Sequence, residues 1–312
     1  EFFISNPMES IMNQEKLKQW YPNSSEKDLH LLGRCKTPEK VMPPEEVPEF
    51  VWIPEGQFVM GDIFRNSSIK GEGQDDERPL RLLNLQGFWI AENVVTNQEY
   101  RKFIETASPD QNAEFLEQIK EFPEDRPVHS VTWDEADAYC KWREAQTPGK
   151  HVCLPTEAQW EKAAGWHLIG ADFEVGRKYE FATGDDVNHE HTVFNRATLE
   201  KDASSGNGLI STDFPREISK LAKGVNGLKG ASGNVWEWCK DFYQYEFYER
   251  SPDGTYNDLD LDSKRRVLRG GSWANVKRRL RTSNRLGSSP STRNDNFGFR
   301  LVMKPLTTGK TE

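Results

Sequence analysis

The chain reads as an α+β fold with much irregular structure, and three observations carry that reading. Three Thr-x-x-Glu or Thr-x-x-Gln signatures (Thr96 with Glu99, Thr132 with Glu135, Thr156 with Gln159) each open a segment with apolar residues at i, i+3, i+4 spacing. Short apolar runs bounded by Pro or Gly announce strands near 50–53, 57–61 and 80–90. Finally, 10 Trp, 17 Phe and 8 Tyr supply a bulky core, while 23 Gly and 17 Pro demand many turns, which disfavours a helical bundle.

In chain order, residues 1–46 are polar and become rich in Pro and Glu, as at Thr37-Pro38-Glu39-Lys40 and Met42-Pro43-Pro44-Glu45-Glu46. They read as an extension or linker with a short helix near 9–20. Glu1 is not a natural start and Met8 could be one, so the leading residues are expected to be an appendage or the cut edge of a longer protein. The domain is expected over 47–305, with 306–312 as a disordered tail. Phe50-Val51-Trp52-Ile53, the turn Pro54-Glu55-Gly56 and Gln57-Phe58-Val59-Met60-Gly61 predict an opening β-hairpin. Residues 80–90 predict one more strand, with Gly87 at a bulge.

The three capped segments predict helices burying Tyr100, Phe103 and Ile104; Ala136, Tyr139 and Cys140; and Trp160, Ala163 and Ala164. From 165 to 232 periodicity fades into Gly, Asn, Asp and Ser, a length of irregular chain that needs a function or a bound ion to hold it. Strand alternation puts Trp236 and Trp238 on one buried face. No internal repeat is visible.

Composition narrows the function classes. A formal charge of −9 argues against nucleic acid as a partner, and no apolar run approaches membrane-spanning length. Nine basic residues crowd 264–285 behind Asp253, Asp258, Asp260 and Asp262. They are expected to pair with that acidic run or stand in solvent, with an anion-binding surface as the sharper alternative. Cys35, Cys140, Cys153 and Cys239 have no Cys-x-x-Cys spacing and read as buried small hydrophobes, favouring a reducing, cytoplasmic setting. His189-Glu190-His191 beside Asp185 and Asp186 could share a metal, but a polar surface loop is the expected reading.

Seven ordered motifs then point to a family. They are Pro54-x-Gly-x-Phe-x-Met-Gly61, Val95-Thr-Asn-x-x-Tyr-x-x-Phe103, Pro127-Val-x-x-Val-Thr-Trp-x-x-Ala136, Leu154-Pro-Thr-Glu-Ala-x-Trp-Glu161, Gly233-Asn-Val-Trp-Glu-Trp238, Arg269-Gly-Gly-Ser-Trp273 and Gly298-Phe-Arg300. Together they resemble the formylglycine-generating-enzyme (sulfatase-modifying-factor) family. The resemblance implies an atypical C-type-lectin fold of small twisted antiparallel sheets, flanking helices and irregular structure. It also implies copper on two cysteines shortly after the Gly-Gly-Ser motif in members that make formylglycine. Here that stretch is Ala274-Asn275-Val276-Lys277-Arg278-Arg279-Leu280 and holds no thiol, so copper chemistry is not expected. Calcium is implied through Glu237 and a second loop with Asn195 and Asp213, although Gly230 replaces the usual Asn or Asp ligand.

What remains is a choice of classes. A binding or display module, like the retroelement-diversified variable proteins and the modules appended to bacterial kinases, would take a protein or peptide ligand on a face built from 273–297. Its contact positions would be Trp273, Ala274, Asn275, Lys277, Arg278, Leu286, Ser288, Ser289, Asn294 and Asn296. Arg281, Asn284, Arg285, Pro290, Arg293, Gly298, Phe299 and Arg300 would anchor it. The alternatives are a metal-dependent oxidoreductase of the sulfatase-modifying or sulfoxide-synthase type, and a cysteine-less paralogue that binds a partner without turnover.

Overall fold

Helices start where the capping chemistry puts them. The computed structural model describes residues 13–36, 42–64, 75–107, 113–168, 174–187, 192–194, 215–250 and 264–306. In it the Glu135 carboxylate accepts the Thr132 N–H at 2.8 Å while the Thr132 hydroxyl accepts the Glu135 N–H. Thr156 with Gln159 and Thr96 with Glu99 repeat the device. The helices are α1 (Gln14–Trp20), α2 (Glu26–Gly33), α3 (Asn97–Ala107), α4 (Ala113–Lys120), α5 (Trp133–Ala145), α6 (Glu157–Gly165) and α7 (Phe247–Arg250). On α3 and α5 the predicted stripes are buried. Helix α6 is covered on nearly all sides, and only Ala158 and the capping Thr156 reach partial exposure.

The strands are β1 (Phe50–Ile53), β2 (Gly56–Met60), β3 (Arg81–Leu85), β4 (Phe88–Ala91), β5 (Lys150–Cys153), β6 (Trp236–Phe242), β7 (Arg266–Arg269), β8 (Arg285–Ser288), β9 (Phe297–Gly298) and β10 (Val302–Pro305). They form three small sheets with orders β1-β4-β10-β5, β2-β3 and β8-β7-β6-β9, antiparallel except for the β6–β9 pair. The mixed helix and small-sheet architecture is the expected one. Strand β4 is buried at all four positions because β1 and β10 flank it and apolar layers cover both faces.

Two expectations on local pairing fail. Residues 50–53 and 57–60 do not form a hairpin: β1 pairs with β4 (Trp52 opposite Trp89) and β2 pairs with β3 (Phe58 opposite Leu83). Gly56, at φ 128°, lets the chain leave one sheet and enter another within a turn. Nor is 80–90 one strand. It breaks between Leu85 and Phe88, where a Cβ on Gly87 would lie 2.3 Å from the Trp52 ring.

Among the described residues two large apolar clusters fill most of the interior, with two small ones beside them. One of the large clusters joins Phe58, Met60, Trp160 and Trp166 to residues expected in the extension, namely Leu17, Trp20, Tyr21, Leu29, Leu32 and Cys35. The Tyr21 hydroxyl accepts the Lys178 N–H at 2.8 Å, and the Ser24 hydroxyl donates to the Ile63 carbonyl at 2.6 Å. The second cluster gathers Tyr100, Tyr139, Trp236, Trp238 and Phe299, with both Trp residues on one buried face as alternation requires.

Irregular chain after α6 is held by side chains standing in for backbone partners. Asn226, at φ 55°, accepts the Leu168 N–H and donates to the Ala163 and Trp166 carbonyls. Among the described residues no helix is long and apolar enough to cross a membrane.

Candidate functional site

The site begins with its supports, which are buried arginines. Glu157 and Glu161, one turn apart on α6, receive Arg269 at 3.3 and 2.5 Å; Arg285 adds contacts of 2.5 and 2.9 Å to Glu157, and Lys178 one of 2.7 Å to Glu161. Arg281 binds Glu77 at 2.8 Å and Asp62 at 3.0 Å. Arg300 grips both Glu237 oxygens, at 2.5 and 2.7 Å. Burial alone would raise the Glu161 pKa, but Lys178 and Arg269 outweigh it and hold the carboxyl below its ordinary value. At Asp62 burial wins and the carboxyl moves up despite Arg281.

This corrects the charge reading of 264–285. Arg269, Arg281 and Arg285 are buried, not solvated, and the acidic run at 253–262 lies outside the described residues. They bind Asp62, Glu77, Glu157 and Glu161 inside the protein. Sequence reading missed those carboxylates. The available signal was an arginine set among apolar and small residues, as at Val267-Leu268-Arg269-Gly270-Gly271.

From these anchors the chain turns outward. Gly270 and Gly271 stand at φ 93° and 71°, and a Cβ on Gly271 would lie 2.7 Å from the Arg279 carbonyl. Asn275 Oδ1 accepts from the Ser272 hydroxyl and N–H, and Asn296 Nδ2 donates to the Ser272 hydroxyl, all within 3.0 Å. The Trp273 N–H donates to the Asn234 carbonyl at 2.9 Å, and its ring packs on Val94, Val193, Ile218, Leu221 and Val235. Trp273 Nε1 and Asn296 Oδ1 are buried without a hydrogen-bond partner among the described residues. Ala274 and Arg278 are exposed, Lys277 pairs with Asp186, and Leu280 is buried beside Phe181, Val187 and Phe194.

The ten predicted contact positions are therefore not one patch. Trp273, Ala274, Asn275, Lys277, Arg278 and Asn296 belong to the turn after Gly271. Asn294 is exposed on the segment that bonds to Ser130, where Arg293 also pairs with Glu135. Half-buried Leu286 and Ser288 lie on edge strand β8, with exposed Ser289 just beyond. Edges β8 and β9 are separated by three strand spacings, roughly 14 Å. Ser288 is level with the Phe242 end of β6, whereas Phe297 is level with the Trp236 end, roughly 20 Å along the strand.

All four cysteines are buried free thiols, remote in sequence from the 272–297 segment, and burial pushes Cys35 up to about 12 and the other three upward too. No accessible thiolate pair is present, so these residues do not fit copper. Glu237, implied as a calcium ligand, is already committed to Arg300 and to the Trp160 indole N–H at 2.6 Å. Asn195 and Asp213 lie outside the described residues, as do His189, Glu190 and His191; Asp185 and Asp186 pair with Arg177 and Lys277. Among the described residues no group of three His, Cys, Asp or Glu side chains is placed to hold a metal ion.

Residues 37–305 match the sulfatase-modifying factor enzyme 1-like domain, and the chain belongs to that family. It is similar to serine/threonine-protein kinase Pkn1 of Chlamydia trachomatis, 28% identical over 325 residues that cover 96% of this chain and 43% of the kinase. The chain thus spans less than half the length of that relative. The formylglycine-generating enzyme of Streptomyces coelicolor is 28% identical over 81% of this chain and 88% of its own. Inactive C-alpha-formylglycine-generating enzyme 2 of Mus musculus is 27% identical over 91% and 95%. Among solved structures, PvdO from Pseudomonas aeruginosa matches with a TM-score of 0.61 at 20% identity, covering 82% of this chain and 94% of PvdO. Treponema denticola variable protein 1 matches at 0.56 and 21%, covering 82% and 95%. These likenesses establish the shared fold.

Proposed function

We propose that the chain is a non-catalytic binding module that uses the formylglycine-generating-enzyme scaffold to present side chains of the turn that follows Gly271, the part of 273–297 that holds Ala274 and Arg278, to a protein or peptide ligand. One observation carries the reading. Where the family's thiol pair would stand, Ala274 and Arg278 face solvent on a turn fixed from below by Ser272, Trp273 and Leu280. Such a turn can change its contact residues without disturbing the core. Two relatives support it: the mouse protein is named inactive, and the chain corresponds to less than half of a kinase. A partner protein that this module binds on behalf of a longer chain is the ligand class that follows. In the retroelement-type version, the contact positions vary between copies while Arg269, Arg281, Arg285 and Arg300 do not.

The test is site-specific photo-crosslinking in the cell of origin. A crosslinking amino acid at Ala274 or Arg278 is expected to give discrete adducts that are absent when it replaces Lys141, an exposed residue on α5. Identical adduct patterns from 278 and 141, or none from 274 and 278, would refute the assigned face.

A further inference from the structure

A cleft of about 350 Å³ opens between the start of β1, the β4–α3 connection, and helices α3 and α5. It is separate from the Trp273 turn, sharing with it only the Val94 wall. Its volume is at the small end of the range that encloses metabolites.

Exposed Lys102 and Glu49 and half-buried Arg143 bring charges of both signs to the rim of this cleft. Lys102 on α3, Arg143 on α5 and Glu49 before β1 line it without an ion-pair partner among the described residues. Asn93 Oδ1 is buried and accepts no hydrogen bond from the described residues. Tyr139 is 2% exposed, and its hydroxyl has no hydrogen-bond partner among the described residues. Glu99, Arg143 and Glu49 all lie close enough to act on that phenol. Glu99 is already used, since its carboxylate caps Thr96. Glu49 also holds an uncommon backbone, φ 68°, while its carbonyl accepts the Glu92 N–H. The rest of the lining mixes the polar Thr96 and Gln98 with an apolar wall that includes Phe50, Val94, Trp142 and Leu301.

An uncommitted carboxylate and an uncommitted amide oxygen suit an ammonium group. Two uncommitted cations from neighbouring helices suit a carboxylate, and the aromatic and aliphatic wall suits a short apolar body. We infer that this cleft is a binding site for a small zwitterion of amino-acid size, with Glu49 and Asn93 receiving the ammonium and Lys102 and Arg143 receiving the carboxylate. A simple anion would leave Glu49 opposed, and a simple cation would leave Arg143 and Lys102 opposed. Only a ligand with both charges satisfies both ends.

The experiment is a thermal-shift screen of the 312-residue protein against the twenty free L-amino acids, followed by calorimetric titration of those that stabilise it. At least one apolar or aromatic amino acid is expected to bind saturably. For that amino acid, the matching amine without the carboxylate and the matching acid without the amine should each bind at least about tenfold more weakly, as loss of a charge-assisted contact implies. Arg143→Met and Glu49→Gln should each weaken binding by about the same factor. Glu49 is exposed and Arg143 half-buried, and neither holds an ion pair among the described residues, so the ligand-free melting temperature should hold, which separates a lost contact from a lost fold. Absence of saturable binding by all twenty would overturn the assignment. So would equal binding of the amine or acid alone, or affinity unchanged in both variants.

Discussion

Replacing Arg300 by Met should unfold this protein far more readily than any change on the contact face. Arg300 is fully buried and donates five hydrogen bonds: two to Glu237 at 2.5 and 2.7 Å, and one each to the carbonyls of Ala91, Glu92 and Lys229 at 2.9–3.1 Å. Methionine keeps much of the volume but leaves Glu237, itself 0% exposed, with the Trp160 indole N–H as its remaining donor. Stranding a buried charge in this way costs about 3–5 kcal/mol. For a domain of this size, where 1 kcal/mol corresponds to roughly 2–4 °C, the melting temperature should fall by about 6–20 °C. The sign of the second step is more diagnostic. Adding Glu237→Gln to Arg300→Met removes the stranded charge and should return about 1–3 kcal/mol, so the double variant should be more stable than the single one. Urea unfolding followed by tryptophan fluorescence measures all three proteins. A loss below about 1 kcal/mol for Arg300→Met, or a further loss in the double variant, would refute the placement of this pair in the core.

Gly271→Ala, at φ 71° with a carbonyl oxygen 2.7 Å from the new Cβ, should cost at least about 2 kcal/mol. Gly149→Ala, at φ 78° in open space, should cost about 1 kcal/mol; equal losses by urea titration would show that the crowding at 271 is not real. Tyr21→Phe should cost about 1–3 kcal/mol by leaving the Lys178 N–H without the phenol oxygen, and no change would mean that the α1–α2 segment is not welded to the domain. Burial lowers Lys162 to about 8, so between pH 8 and its ordinary value of 10.5 the unfolded chain binds more protons than the folded one. Stability should therefore rise with pH across that window, and the wild type should gain up to about 3 kcal/mol relative to Lys162→Met between pH 8 and 10.5. Tyrosine ionisations are common to both proteins and cancel in that difference, so a pH-independent difference would contradict the lowered value.

Much of this fold was readable from residues acting on near neighbours. Thr132 and Glu135 need only each other to start a helix, and the alternation of Trp236 and Trp238 needs only a strand. What was not readable depends on partners far along the chain. The runs at 50–53 and 57–60 are strands as expected, but nothing local tells β1 to choose β4 over β2. The basic residues 269, 281 and 285 look solvated until Glu157 on α6 and Glu77 are brought 112–204 positions back onto them. At the candidate site, the expected anchors Arg281, Asn284, Arg285 and Arg300 are buried, whereas Pro290 is half-buried and Arg293 exposed. The single face does not hold, because it assumes that residues close in sequence share a surface, whereas edge strand β8 and the turn before edge strand β9 hold Ser288 and Asn296 apart. The cleft at Tyr139 had no sequence signal, since its groups come from four separate segments.

The central claim is that this scaffold has exchanged thiol chemistry for contact. Its most direct test supplies the purified protein with Cu(I), dioxygen and a cysteine-containing sulfatase-type peptide, and follows oxygen consumption together with the peptide's mass. The account predicts no conversion of cysteine to formylglycine above a protein-free control. Stoichiometric metal uptake with peptide oxidation over repeated turnovers would contradict it.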